Sequence, residues 1–257
     1  MNKILMYHSI GNHDNNEVGA GLYCVSVEKF REQMEWVCAF VRYRVNALNA
    51  TTRQRDNATT RQRDNARTIL ITFDDGLIDN YTNAYPILKE FGLKAYFFIL
   101  VGKVGRDGYM NWEQIRQLRD AGMVIGSHGM THRILTELND AELDYELSES
   151  KKILEQKLGA GVEYLSIPRG FTNKNVIEKV KKVGYKAVFT SNPKDSDGYK
   201  RGRIPVKSNW SIEYFARVMK NGPSLKDRAG EWVKGLSKKM LGAKNYDRVR
   251  SAILKRQ

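Results

Sequence analysis

The chain has 257 residues, 41% apolar and 28% charged, which suits one large folded core or two small ones and excludes a disordered polymer. Its formal charge of +14 points to anionic partners without saying which anions. Two cysteines, Cys24 and Cys38, lie outside any CxxC or metal-ligand spacing, so buried free thiols and a reducing compartment are expected.

In chain order, "MNKILMYHSI" at the N-terminus carries one lysine and a very short apolar stretch before Tyr7 and His8, unlike an export signal. A first strand is expected at Lys3–His8, then a helix over Val27–Phe40 and a second strand at Tyr43–Leu48. Residues 50–57, "ATTRQRDN", recur identically at 58–65. Two copies with no apolar residue larger than alanine cannot form a packed unit, so 49–66 reads as a duplicated, flexible loop. Further strands are expected at Thr68–Phe73, Lys94–Val101, Val124–Ser127, Val162–Ile167 and Lys186–Thr190. Helix patterns at Asn80–Phe91, Trp112–Ala121, Ala141–Leu158 and Lys174–Val183 lie between most of them. "NDAEL" at 139–143 supplies a capping box, and Gly92, Gly122, Gly159 and Gly184 close helices where a left-handed residue is wanted. The longest apolar run, "AYFFILV" at 95–101, is far too short to span a bilayer, and the chain reads as soluble and cytoplasmic. About seven strands alternating with helices imply a mainly parallel sheet, open or closed as a barrel.

After Gly222-Pro223 the pattern changes. Leu225, Ala229, Trp232, Val233, Leu236 and Met240 recur at helical spacing, and residues 225–257 hold ten Lys/Arg against three Asp/Glu. The expected organisation is a main domain over 1–222 and a basic amphipathic helical tail over 223–257, able to lie on an anionic membrane surface.

The polar residues decide the chemistry. "SHGMTH" at 127–132 places His128 and His132 about one helical turn apart. "TILITFDDG" at 68–76 ends a strand in two adjacent carboxylates, Asp74 and Asp75, which repel each other and call for a counter-charge. A glycine at the strand end lets the backbone aim both into one mouth. His8 ends the first strand and "PRG" at 168–170 follows the sixth. All these groups fall at C-terminal strand ends, the edge where α/β folds build active sites. Two imidazoles and one carboxylate leave open positions on a divalent metal, as in hydrolytic zinc sites. Iron(II) oxygenases use the same set, usually on a jelly-roll framework. The second carboxylate is then free to act as a general base.

"TFDDG" followed by "SHGMTH" resembles the NodB-like polysaccharide deacetylases, carbohydrate esterase family 4, over roughly residues 1–222. The resemblance implies a distorted (β/α) barrel and metal-dependent N-deacylation of an amino sugar. It assigns Asp74 as general base and Asp75, His128 and His132 as metal ligands. Zinc is the ion most often used by the family, with cobalt, nickel or manganese also accepted. The family's third motif ends in Pro-Tyr-Gly, whereas this chain has Pro168-Arg169-Gly170, which replaces a substrate-facing aromatic by a cation and hints at a charged substrate. The backbone amide near Arg169 is a candidate for stabilising the oxyanion. The late Leu-x-His motif is absent, since no histidine follows His132. A branch of the family carries that general acid in an N-terminal Tyr-His stretch resembling "MYHSI", which makes His8 the candidate acid and His13 a bystander.

The expectation is a cytoplasmic hydrolase of an N-acetylated amino sugar, lipid-linked or nucleotide-linked, stationed in part at the inner membrane face. A deformylase of a lipid-linked aminosugar uses the same machinery. A non-enzymatic binder of nucleic acid or anionic surfaces answers to the charge alone. No helix-turn-helix, zinc-finger or RNA-binding pattern supports nucleic acid as a partner, and that reading leaves the strand-end cluster unexplained.

Overall fold

The structure is a computed structural model that describes residues 3–11, 21–52 and 69–222. From the N-terminus, β1 (Lys3–Tyr7), β2 (Ser9–Ile10) and β3 (Cys24–Val25) lead into α1 (Val27–Thr52). Then come β4 (Ile69–Phe73), a π turn at Asn80–Ala84, α2 (Tyr85–Glu90), β5 (Ala95–Ile99), α3 (Trp112–Asp120) and β6 (Val124–Ser127). The remainder holds α4 (Asp140–Asp144), a π turn at Tyr145–Glu149, α5 (Ser150–Leu158), β7 (Tyr164–Ser166), α6 (Lys174–Val183) and β8 (Ala187–Thr190). It finishes with β9 (Lys200–Gly202), β10 (Ile204–Pro205) and α7 (Ile212–Asn221).

One all-parallel sheet runs β10-β1-β4-β5-β6-β7-β8-β9. Its two edge strands are separated only by Arg203, so a single stretch of chain pairs with β8 on one side and β1 on the other. The sheet thereby curls into a nearly closed (β/α) barrel of seven staves, the last of them split. Its strands are apolar on both faces, as parallel strands covered by helices must be. Leu5, Tyr7, Ile71, Phe73, Phe97 and Ile99 face outward and join Phe30, Met34 and Leu118 of the helices in the main core. A smaller cluster of Ile4, Phe98 and Phe189, edged by Leu70, Tyr96 and Tyr164, fills the barrel itself. Gly126 makes room for that filling: a Cβ there would stand 2.5 Å from Phe98 Cδ1 and 2.9 Å from the Tyr164 carbonyl.

Helix ends follow local chemistry. Asn139 and Glu142 form the expected capping box, and Asn111 with Gln114 form a second one at α3. Gly92, Gly122, Gly159 and Gly184 all take positive φ at helix ends.

Two expected elements are corrected. Tyr43–Leu48 is not a strand, because α1 runs on through it to Thr52. The alternation of Val41, Tyr43 and Val45 imitates a strand, but no glycine or proline between Val27 and Leu48 stops the helix. The missing stave is Lys200–Pro205, whose two arginines, lysine, glycine and proline conceal it. The first residues of the duplicated segment, up to Thr52, are helical rather than loop. The rest of that segment, His13 and the tail over 223–257 lie outside the described residues. Cys24 and Cys38 are both free thiols, the first half-buried and the second buried.

Candidate active site

Side chains two apart in a strand share a face. Ile4 and Met6 of β1, and Leu70 and Thr72 of β4, point into the barrel. The next inward positions are His8 and Asp74, neighbours because the Asp74 N–H donates to the Tyr7 carbonyl at 3.0 Å. The same step reaches His128 after β6, Ser166 in β7 and Arg203 between β9 and β10. Asp75 is out of phase and would face outward in a continued strand. It has φ 72°, which turns it back toward the mouth, and Gly76 follows with φ 73°. Among the described residues the non-glycine positions with positive φ are Asp75, His132 and Arg169. All three are candidate site residues, the setting where costly backbone conformations persist.

Asp75, His128 and His132 offer ligand atoms that all lie within 4.8 Å of one another. Asp75 Oδ1 is 3.4 Å from His128 Nε2 and 3.5 Å from His132 Nε2. A tetrahedral ion with ligands at about 2.0–2.2 Å needs ligand atoms roughly 3.4 Å apart, so two edges of the tetrahedron already have the right length. The tautomer fits as well. His128 Nδ1 lies 2.9 Å from the Ser166 carbonyl, which can only accept, so Nδ1 carries the proton and Nε2 presents its lone pair. Burial pushes the Asp75 carboxyl up, but bonding to His128 and the charges of His128, His8 and His132 hold it far below the usual carboxylate range. Burial lowers His132 to about 4, with the charge of His128 acting the same way, so it is neutral and ready to ligate at pH 7. Burial works downward on His128 too, yet Asp74 and Asp75 outweigh it and raise its pKa. The carboxylates thus favour positive charge at this point of the mouth.

Asp74 is buried, 3% exposed, directly beside this cluster. Arg203, 1% exposed, grips it through two 2.7 Å bonds, Nη1 to Oδ1 and Nη2 to Oδ2. Ser166 Oγ donates to Oδ2 at 3.1 Å. Burial pushes the Asp74 carboxyl up, but Arg203, together with His128 and His8, more than offsets it and keeps its pKa below the ordinary value. Arg203 in turn rests above the barrel filling, 5.5 Å from the Phe98 ring centre and 6.0 Å from that of Phe189. Sequence reading missed this arginine. The available signal was that paired carboxylates need a counter-charge, and the alternation Arg201, Arg203, Pro205 marks an inward face.

His8, just past the end of β1, is half-buried, its ring 5.2 Å from that of Tyr23. Its main chain is fixed: Asn80 Nδ2 donates to the His8 carbonyl at 2.6 Å, and Ser9 Oγ donates to the buried Asp79 carboxylate at 2.5 Å. Burial lowers the His8 pKa, while Asp75 and Asp74 pull it upward. The three residues of "PRG" divide. Pro168 is buried. Gly170 spends its N–H on the Ile167 carbonyl at 3.1 Å, and a Cβ there would sit 2.2 Å from Ser191 Oγ. Gly170 thus uses that N–H within its own turn. Arg169 is half-buried at the mouth, where its charge adds to the forces lowering His132.

A family model described as polysaccharide deacetylase matches residues 61–188. YxkH of Bacillus subtilis, named after the polysaccharide deacetylases, is 28% identical over 224 residues, 85% of this chain and 76% of its own. A poly-beta-1,6-N-acetyl-D-glucosamine N-deacetylase of Staphylococcus aureus is 26% identical over 206 residues, 73% of this chain and 69% of its own. Among solved structures, the Streptococcus pyogenes deacetylase PplD superposes with a TM-score of 0.69 at 23% identity, over 85% of this chain and 97% of that one. That likeness concerns the fold, and it agrees with the barrel described above.

Proposed function

Because the chain belongs to the polysaccharide deacetylase family, hydrolases that act on N-acetyl amide bonds, we propose that it is a metal-dependent deacetylase of an amino sugar in a glycan or glycan precursor. The carrying observation is the Asp75-His128-His132 cluster, with both histidine Nε2 atoms 3.4–3.5 Å from Asp75 Oδ1 and the Arg203-held Asp74 beside it.

Asp75, His128 and His132 would hold the ion, and zinc suits their mixed nitrogen and oxygen donors, with cobalt, nickel or manganese as substitutes. When bound, a divalent ion supplies Lewis-acid polarisation of the amide carbonyl and acidifies the attacking water. Asp74 accepts the proton of that water. Its low pKa keeps it ionised at neutral pH, and two bonds from one rigid guanidinium fix the plane of its carboxylate. His8 delivers a proton to the departing sugar amine, without which the amine leaves poorly. Half-buried Arg169 places a cation at the rim, which suits a substrate bearing negative charge such as a lipid-linked or nucleotide-linked sugar. We place the reaction in the cytoplasm at the inner membrane face, with the basic residues of 223–257 drawing the protein to anionic lipid.

The test combines metal analysis with amine release from N-acetylglucosamine oligomers, before and after chelation. Amine release that depends on about one divalent ion per chain is expected. Metal-free protein with full activity, or loaded protein that releases no amine from any N-acetylated aminosugar, overturns the reading.

A further inference from the structure

Three residues, Gly129, Met130 and Thr131, bridge the two imidazoles. The loop after strand β5 holds the bridge from one side: the Val101 and Gly102 N–H groups donate to the carbonyls of Gly129 and Met130, both at 3.0 Å. Gly102 cannot be larger, since a Cβ there would stand 2.4 Å from the Met130 oxygen. On the other side the bridge meets one carboxylate. Met130 and Thr131 donate their N–H groups to Glu146 Oε2 at 2.7 and 3.0 Å, and the Thr131 hydroxyl donates to Oε1. Gly129 lies so close that a Cβ would stand 2.9 Å from the same Oε2.

Glu146 is 1% exposed. A carboxylate buried this deeply survives only if its charge is met, and three donors from the bridge meet it. Its own setting is held as firmly. It sits in the π turn Tyr145–Glu149, a wide turn of the kind found at functional sites. Its main-chain carbonyl accepts from Ser150 Oγ at 2.6 Å, Ser150 Oγ lies 2.9 Å from Ser127 Oγ, and Ser127 Oγ accepts the Gly129 N–H at 3.1 Å. The polar chain thus returns to the bridge it started from.

We propose that Glu146 is a positioning residue for the metal: it clamps the bridge so that the Nε2 atoms of His128 and His132 both face Asp75. This rests on the metal site proposed above. His132 has φ 63°, a conformation that relaxes unless its surroundings hold it, and Thr131 immediately before it carries two of the three bonds to Glu146. The geometry decides the choice of replacement. Glu146 Oε2 takes both N–H groups and Oε1 only a hydroxyl, so a glutamine can keep its oxygen on the N–H groups and turn its NH2 to the Thr131 hydroxyl, which can accept, whereas a methionine of similar length leaves all three donors unmet.

The experiment uses the full chain. Glu146→Met and the milder Thr131→Val are compared with wild type by melting temperature, by zinc affinity, by the visible absorption of the cobalt-loaded protein and by amide exchange at Met130 and Thr131. Zinc affinity in Glu146→Met is expected to fall about 10- to 100-fold, as for groups that orient metal ligands, with an altered cobalt spectrum. Thr131→Val shows a smaller loss in the same direction. Unchanged zinc affinity and cobalt spectra in folded variants overturn the proposal. If Glu146→Met does not fold, Thr131→Val decides by the same two readings. If wild type holds no metal, the metal reading itself fails. Exchange then judges Glu146: faster exchange of Met130 and Thr131 in the variant supports the clamp, and unchanged exchange overturns it.

Discussion

Replacing Arg203 by methionine removes the charge and keeps most of the bulk, and its cost can be worked from the contacts. The guanidinium has five N–H donors, and five bonds use them: Nε to the Thr190 carbonyl, Nη1 to Thr72 Oγ1 and Asp74 Oδ1, and Nη2 to Asp74 Oδ2 and Ser166 Oγ. Methionine fills the space over Phe98 and Phe189 but leaves Asp74 buried with Ser166 as its remaining donor among these. Breaking one side of a buried ion pair costs about 3–5 kcal/mol, a large part of the roughly 5–15 kcal/mol available to a folded domain. The pH dependence has a fixed sign. In wild type the folded pKa of Asp74 is depressed, so its contribution is complete above the unfolded carboxylate pKa and is lost as pH falls through the folded value. In Arg203→Met, burial acts on Asp74 with His128 and His8 left against it but without the guanidinium, so its pKa rises above that in wild type, and acid neutralises the stranded charge and returns stability. Urea unfolding in EDTA at pH 7.5 and 5 should therefore show a gap of several kcal/mol that narrows in acid. Asp74→Asn/Arg203→Met should be more stable than Arg203→Met alone at pH 7.5. A loss under about 1 kcal/mol at pH 7.5, or a gap that widens in acid, refutes the reasoning.

The other expectations are quickly stated. Purified protein should hold about one divalent ion per chain by elemental analysis, and His128→Ala or Asp75→Asn should lose it. Acid should release the same ion, because protonation of His128 competes for Nε2. Asp74→Asn should keep the metal and abolish amine release, while His8→Ala keeps the metal and loses at least about 10²-fold in turnover. Near-normal turnover in His8→Ala would assign the acid elsewhere. Gly126→Ala should lower stability by about 1–3 kcal/mol through overpacking against Phe98. A melting temperature equal to wild type would show that the barrel filling can shift.

The strand-end groups were legible because their spacing carries the geometry. A period of two fixes the face of Asp74 once Thr72 is known to be inside, and the four-residue step from His128 to His132 brings two rings within reach of one point. Helix ends were legible for a similar reason, since caps at Asn139 and left-handed glycines at 92, 122, 159 and 184 are local chemistry. What stayed hidden depends on contacts remote in sequence. Arg203 meets Asp74 across 129 residues, and the chain around it is too polar and too interrupted by Gly202 and Pro205 to announce a strand. Glu146 lies within the helix pattern of Ala141–Leu158 among other acids, and only the fold shows which face of it the ligand bridge covers. At Val41–Val45 the period of two misled, because a helix without a stop signal continues through any pattern its packing tolerates.

Closing the barrel and building the site are one event in this chain. The final stave lies between β8 and β1 with Arg203 at its break, and an arginine buried there has no stable alternative to Asp74. Apolar pairing alone could not place that stave, since Lys200, Arg201 and Gly202 offer little to bury. Its lock is ionic at the mouth and aromatic below, where Arg201 lies 5.8 Å from the Tyr164 ring centre and 5.7 Å from that of Phe189. The carboxylate assigned to take a proton from water therefore also holds the last strand in register. A change at Asp74 also loosens the ionic part of that closure, while the pairing of the stave with β1 and β8 remains. This coupling explains in physical terms why the proposed base is rigid, ionised and inaccessible to all but the mouth of the barrel.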